Sequence, residues 1–200
     1  PYVGRFAPSP TGRLHLGSMA AAVASWLDAK AHEGRWLVRI EDLDPPREVE
    51  GAGDDILKTL EGFCLTWDGP VIRQSERHDL YRGALSQLKT KGLAFGCACT
   101  RKSLASVDGL SRYPGICRDG LPEGIHPRSW RFKMPEGASF SWSDRGQGRH
   151  SLDGIGVGDF TLLRADGHWA YHLAVVVDDE AQGVTDAVSY THLRAHETEA

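Results

Sequence analysis

Three groups of residues in this chain have the types and spacing to do chemistry. The first is Arg5-Phe6-Ala7-Pro8-Ser9-Pro10-Thr11-Gly12-Arg13-Leu14-His15-Leu16-Gly17. Pro8 cannot continue a central strand, Ser9 to Gly12 is a loop by composition, and apolar residues at helical spacing follow. A glycine-containing loop that presents free backbone N–H groups at a helix N-terminus binds anions, and His15 adds a side-chain donor. Neither G-x-x-x-x-G-K-[ST] nor G-x-G-x-x-G occurs here, which excludes the commonest phosphate loops. The plain alternative is an ordinary strand-to-helix connection with a surface histidine.

The second group, Glu41-Asp42-Leu43-Asp44-Pro45-Pro46-Arg47, could face a cation, although Asp42, Asp44 and Arg47 read as a solvated turn with an Asp44–Arg47 pair. The third is Cys97, Cys99 and Cys117, inside twenty-one residues. Soft thiolates suit zinc, and three of them leave one tetrahedral position open. Tyr113, Asp108, Asp119 and the more distant His126 are the candidates for it. A zinc here would be structural, because a loop with so few apolar residues cannot otherwise hold one shape.

These groups need elements to position them. Residues 2–7 read as a strand. Residues 18–31, with Met19, Ala20, Ala22, Val23, Trp26 and Leu27 at helical spacing, read as a helix, and residues 36–41 as a second strand. Such a βαβ unit makes the strands parallel and places ligands at their carboxyl ends, so one crevice could hold an anionic group near Arg5 and a cationic one near Glu41. A helix follows over 48–63, with Ile56, Leu57, Leu60 and Phe63 on one face and Gly51 and Gly53 weakening its first turn. Cys64 reads as a buried, inert thiol. A short strand over 71–75 precedes a helix over 78–92 that carries Leu80, Tyr81, Ala84, Leu85 and Leu88. From Phe95 the chain turns loop-rich until the strand-like 129–133. Asp144 to Gly148 marks a turn between short strands, 159–164 a strand, and 165–168 a hairpin turn. Residues 169–179 read as the start of the return to the main sheet.

Two hundred residues with 40% hydrophobic content and six Trp make one domain plus a small insertion. A net charge of -4 supplies no global footprint for a nucleic-acid binder, so RNA contact would need a local basic patch. Four unevenly spaced cysteines and no apolar N-terminal segment lead us to expect a cytoplasmic enzyme, and no run is long enough to span a bilayer.

R-F-A-P-S-P-T-G-R-L-H-L-G resembles the signature of class I glutamyl- and glutaminyl-type tRNA synthetases, with His15-Leu16-Gly17-Ser18 where the family's HIGH motif sits. R-I-E-D-x-D-x-x-R and Q-S-E-R-x-x-x-Y are similar to further family segments, as is G-D-F-x-L-x-R-x-D-G-x-x-x-Y-x-L-A-x-V-V-D-D. The resemblance implies an α/β, Rossmann-like class I synthetase catalytic fold with a zinc-binding insertion, incomplete at its C-terminus. It divides the chain into 1–94 (first half of the Rossmann domain), 95–158 (insertion), 159–188 (return to the sheet) and 189–200. It implies catalytic His15, Gly17 and Ser18, and ATP contacts with Mg²⁺ from Pro8, Thr11, Gly12, His15 and Gly17. Glutamate would be held by Arg5, Ala7 and Ser9, its ammonium by Glu41, its pocket wall by Tyr171. The spacing C-x-C-x13-Y-x3-C is similar to the zinc site of glutamyl-queuosine tRNA(Asp) synthetases, which implies Cys97, Cys99, Tyr113 and Cys117 as ligands. The implied activity is ATP-dependent activation of L-glutamate and its transfer to queuosine in the tRNA(Asp) anticodon by a monomeric enzyme.

The chain departs from the pattern where the family has an Arg-Gly-x-Asp segment, since position 189 is Ser. Residues 189–200 match nothing expected of the fold and read as a foreign tail. No KMSKS-type string occurs, so residues 1–200 alone are expected to be impaired. The rivals are an ordinary glutamyl-tRNA synthetase catalytic domain and a non-catalytic, zinc-stabilised RNA-binding module; the latter lacks a recognisable stacking platform.

Overall fold

The computed structural model describes residues 1–105, 112–144 and 148–188. Asp108, the turn residues 145–147 and the whole of 189–200, including Ser189, lie outside the described residues. In chain order the elements are β1 (Val3–Phe6), α1 (Leu16–Ala31), β2 (Arg35–Ile40), α2 (Ala52–Gly62), β3 (Ile72–Arg73), α3 (His78–Thr90), β4 (Ala94–Cys97) and α4 (Arg101–Ala105). Then come β5 (Ser129–Phe132), β6 (Ser139–Asp144), β7 (Gly148–Asp153), α5 (Gly154–Val157), β8 (Thr161–Leu163), α6 (Tyr171–Gln182) and β9 (Asp186–Ala187). The described residues fall into two compact units, one of residues 1–78 together with 175–188, the other drawn from residues 79–174.

The first unit holds a four-stranded sheet in the order β3-β2-β1-β9, parallel throughout. The βαβ reading of the N-terminus holds: β1 and β2 pair in parallel, with Arg5 opposite Leu37 and Phe6 opposite Val38. β2 is flanked by strands on both sides and buried from Trp36 to Ile40, which is why its sequence is a nearly unbroken apolar run. Its side chains join Phe6, Ala22, Ala29, Ile56, Leu60 and Leu65 in the core. Full burial of one such large apolar side chain contributes about 1.5–3 kcal/mol. Trp36 is accommodated because its indole N–H donates to Ser25 Oγ at 2.8 Å, and that hydroxyl donates to the Ala22 carbonyl at 3.0 Å. Gly34 is required where the chain turns into β2, since a Cβ there would stand 2.6 Å from the Tyr2 carbonyl oxygen.

Several expectations need correction. The helix expected from residue 48 begins only at Ala52, because Gly51 takes a φ of 77°. Phe63 and Cys64 are both exposed: α2 ends at Gly62, and Cys64 enters the left-handed region at φ 58°, turning the chain away from the buried face that Ile56 and Leu60 occupy. The largest correction is α6. Residues 171–182 are helical, and the strand that rejoins the sheet is β9, with Thr185 N–H donating to the Val3 carbonyl at 2.9 Å. A short apolar run such as Val175-Val176-Val177 does not by itself distinguish strand from buried helix. Successive strand residues point to opposite faces, whereas Asp178 and Asp179 both reach Arg39, which a helix allows.

The second unit contains the antiparallel sheet β4-β5-β8 and the hairpin β6-β7. Phe95 to Cys97, expected to open a loop-rich stretch, belong to the strand 94–97 because it pairs with residues 129–132 far along the chain. Tyr81 and Trp169 pack edge to face, 5.8 Å between ring centroids. The hairpin turn at 165–168 is present, closed by Arg164 N–H donating to the His168 carbonyl at 2.9 Å.

Candidate active site and metal centre

In the first unit the two sequence motifs meet at the carboxyl ends of β1 and β2. Glu41 N–H donates to the Pro8 carbonyl at 2.9 Å and Val49 N–H to the Pro10 carbonyl at 2.9 Å, which ties the loop after β1 to the loop after β2. Thr11 N–H donates to the Ser9 carbonyl at 2.9 Å, and Gly12 adopts a φ of 143°, which side chains disfavour. Ala7 and Pro8 are half-buried; Ser9, Thr11 and His15 are exposed. His15 caps α1: its Nδ1 accepts the Ser18 N–H at 3.2 Å and its Nε2 stands 3.1 Å from Ser18 Oγ. No acidic residue occupies the first turn of α1, so the positive end of its dipole is uncompensated from within the helix. Gly17 and Ser18 belong to that turn.

Arg5 and Glu41 lie in one network of buried charge that residue spacing did not foretell. Asp179 accepts from Arg5 through Nε at 3.1 Å and Nη2 at 3.2 Å, a bidentate pair. Arg39, fully buried near the carboxyl end of β2, places Nη1 2.7 Å from Asp179 and 2.7 Å from Gln182 Oε1, and Nη2 3.2 Å from Glu41 Oε1. Asp178, also fully buried, accepts from Gln74 Nε2 at 2.8 Å and Arg77 Nε at 2.6 Å. Three guanidinium groups thus face three carboxylates. Burial pushes the Glu41 carboxyl above its ordinary value, and Arg39 only partly offsets this. For Arg39 burial works the other way, but the carboxylates of Asp179, Glu41 and Asp178 together leave its pKa raised. A sequence signal existed: a charge inside a fully buried strand must be paired, and Arg39 sits in one.

The other carboxylates beyond β2 are structural. Asp44 pairs with Arg47, as the plain reading of that turn has it. Asp42 accepts from Ser75 N–H at 2.9 Å and Ser75 Oγ at 2.7 Å. Tyr171 belongs to the second unit, where it opens α6; the residue is 57% exposed and its ring stands edge-on to His172.

The second unit brings the three cysteines together, their sulfurs all within 4.8 Å of one another. Cys99 Sγ is 3.6 Å from Cys117 Sγ; Tyr113 Oη is 3.4 Å from Cys97 Sγ and 3.6 Å from Cys99 Sγ. Ligand bonds of about 2.3 Å to sulfur and about 2.0 Å to oxygen around a tetrahedral ion require edges of about 3.8 Å and about 3.5 Å. These three separations match the edges of such a tetrahedron. Among the described residues no His, Asp or Glu joins this cluster, and Asp119 is exposed, 3.9 Å from Lys133. Tyr113 Oη also accepts the Cys117 N–H at 2.8 Å, and Arg131 lies over its ring, 4.1 Å from the centroid. Burial raises the Cys97 thiol, but its hydrogen bonds with Tyr113 and Arg131 bring it down to about 7. Burial, followed by hydrogen bonds with the three cysteines, pushes the Tyr113 phenol up, so a phenolate here would need a bound cation.

The sequence model of the family described as tRNA synthetases class I (E and Q), catalytic domain, matches residues 2–198. The chain is 56% identical over 193 residues to the Glutamyl-Q tRNA(Asp) synthetase of Chromobacterium violaceum, covering 94% of this chain and 64% of that protein. It is 52% identical over 196 residues to the protein of that name from Bordetella bronchiseptica, covering 94% and 61%. The chain thus spans a little under two thirds of the length of these curated relatives. Among solved structures, a glutamate tRNA ligase from Elizabethkingia meningosepticum in complex with its amino acid superposes with a TM-score of 0.83 at 31% identity, covering 93% of this chain and 43% of that one. With the parallel sheet, the loop at the helix N-terminus and the family match over nearly its whole length, the chain belongs to the class I tRNA synthetase (E and Q) catalytic-domain family.

Proposed function

We propose that the chain is the glutamate-activating part of an enzyme that forms glutamyl-adenylate from L-glutamate and ATP and passes the glutamyl group to queuosine in the tRNA(Asp) anticodon. The observation that carries this reading is the placing of Arg5 and Glu41, opposite charges toward the carboxyl ends of adjacent parallel strands and joined through Asp179 and Arg39, beside a loop that leads into an uncompensated helix N-terminus. In the reaction the α-carboxylate of glutamate attacks the α-phosphorus of ATP and pyrophosphate leaves. Glu41 takes the ammonium, while Arg5, flanked by Ala7 and Ser9, takes a carboxylate. Pro8, Thr11, Gly12 and Gly17 shape the backbone around the nucleotide, and His15 with the first N–H groups of α1, Ser18 included, stabilises phosphoryl charge. Positioning and preorganised donors supply most of the acceleration in such a transfer. Mg²⁺ bound with ATP would supply charge neutralisation at the phosphates. Tyr171 has the pocket-wall role implied by resemblance.

Cys97, Cys99, Tyr113 and Cys117 would hold a zinc ion as a structural clip. The choice of queuosine over the ordinary aminoacyl acceptor is supported by the Tyr-containing cysteine cluster and by the names of the relatives. The whole enzyme acts in this reading as a cytoplasmic monomer; no described helix is long and apolar enough to cross a membrane. Residues 1–200 hold no KMSKS-type lysine, so alone they should support pyrophosphate exchange far more slowly than the full-length protein.

The test uses the full-length protein with ATP, labelled glutamate and either queuosine-containing tRNA(Asp), queuosine-free tRNA(Asp) or tRNA(Glu). Label should appear only on the first. Label at the 3′ end of tRNA(Glu) would establish the ordinary synthetase instead, and failure to activate glutamate would refute the whole reading.

A further inference from the structure

Asp179 holds Arg5 in a way that leaves half of its guanidinium to spare. The Nε and Nη2 groups of Arg5 are engaged by the Asp179 carboxylate, whereas Nη1 has no bonded partner among the described residues. Guanidinium carries five N–H donors in a rigid fork, so a carboxylate seated on one edge orients the opposite edge for a second. The same Asp179 Oδ1 that accepts from Arg5 also lies 2.7 Å from Nη1 of the fully buried Arg39, and Arg39 Nη2 donates to Glu41 at 3.2 Å. Arg5, Asp179, Arg39 and Glu41 therefore form a row of alternating charge. Its two ends are the groups assigned above to opposite charges of the amino acid. Neither end is fixed by its own strand alone. Gln182, one turn beyond Asp179 on α6, holds Arg39 from the far side at 2.7 Å, and Asp178 anchors the same helix through Gln74 and Arg77.

We propose that Asp179 is the positioning residue of the amino-acid site, setting the distance and orientation between Arg5 and Glu41 through one shared carboxylate. Resting on the glutamate reading, this assigns α6 a task beyond packing: it carries the counter-charge that aims Arg5 without touching substrate. Without Asp179, Arg5 would lose its bidentate partner while Glu41 kept Arg39, so the two ends of the row would no longer be tied to one another.

Asp179→Asn and Asp179→Glu in the full-length protein test this by glutamate-dependent ATP–pyrophosphate exchange, with thermal midpoints measured alongside. Asp179→Asn removes the shared charge and should raise the KM for glutamate roughly tenfold or more, the order of one charge-assisted hydrogen bond. Its KM for ATP should stay within about twofold, since the perturbed interaction faces the amino acid. Asp179→Glu keeps the charge, and with it the fold, but displaces the carboxylate by one methylene; it should also raise the glutamate KM with the ATP KM unmoved. A wild-type glutamate KM in Asp179→Glu overturns the proposal, as does an equal rise in both KM values in either variant. If the wild-type protein itself activates no glutamate, the functional reading falls and this proposal with it; if it does and the variants match it, only this proposal falls.

Discussion

Replacing Arg39 by Met removes the hub of the buried charge network while keeping most of the side-chain volume. Arg39 is fully buried, its partner Asp178 is fully buried, and the Glu41 side chain is only 6% exposed. Taking one partner out of such a cluster leaves buried carboxylate charge uncompensated, a cost of about 3–5 kcal/mol. For a chain of this size each kcal/mol lowers the thermal midpoint by about 2–4 °C, so the variant should melt about 6–20 °C below wild type. The deficit should depend on pH with a definite sign. The Glu41 carboxyl is already raised by burial, with Arg39 holding it down, and removal of Arg39 raises it further. A group whose folded pKa lies above its unfolded value contributes stability that is fully present below the unfolded pKa, about 4.3 for Glu, and lost as pH rises through the folded value. The gap between variant and wild type should therefore narrow as pH falls from about 8 to about 5. Differential scanning calorimetry of both proteins across that range is the assay. A variant within about 1 kcal/mol of wild type, or a gap that widens on acidification, would refute this account of the network.

Thiol chemistry separates the four cysteines. In the zinc-loaded protein only the exposed Cys64 should react quickly with a thiol reagent, and a chelator should release Cys97, Cys99 and Cys117 while exposing residues 97–117 to protease; fast modification of all four with zinc bound would reject the metal centre. Gly34→Ala should cost about 1–3 kcal/mol by overpacking, since its Cβ meets the Tyr2 backbone and not a flexible side chain. A chemical-denaturation midpoint equal to wild type would show that the β1–β2 turn yields. Arg5→Ala in the full-length protein should raise the glutamate KM much more than the ATP KM, and equal effects would remove Arg5 from the amino-acid site. His15→Ala should lower kcat more than it raises either KM, because its proposed contact strengthens only as phosphoryl charge develops.

Much of the site was legible because its parts are local. The motif over residues 5–17 carries its own strand end, turn and helix start, and Glu41 follows directly from the strand that precedes it. The cysteine cluster was likewise readable from spacing, although choosing Tyr113 over Asp119 or His126 needed either a resemblance or coordinates. What failed to show in the sequence was non-local. Residues 94–97 are a strand only because residues 129–132 pair with them. Val175 to Asp179 has the composition of a strand but lies in a helix, from which both aspartates reach one buried arginine.

The sequence by itself determined the class of the fold, the loop that leads into α1 and the identity of the charged groups at the strand ends, since these follow from proline, glycine and apolar periodicity within short windows. Only the tertiary structure decided how those charges are shared. Arg5 comes from β1, Arg39 and Glu41 from β2 and its end, and Asp178 and Asp179 from α6, more than a hundred residues away. Burying so many charges is tolerable only when each finds its opposite, and no window of sequence contains that whole set.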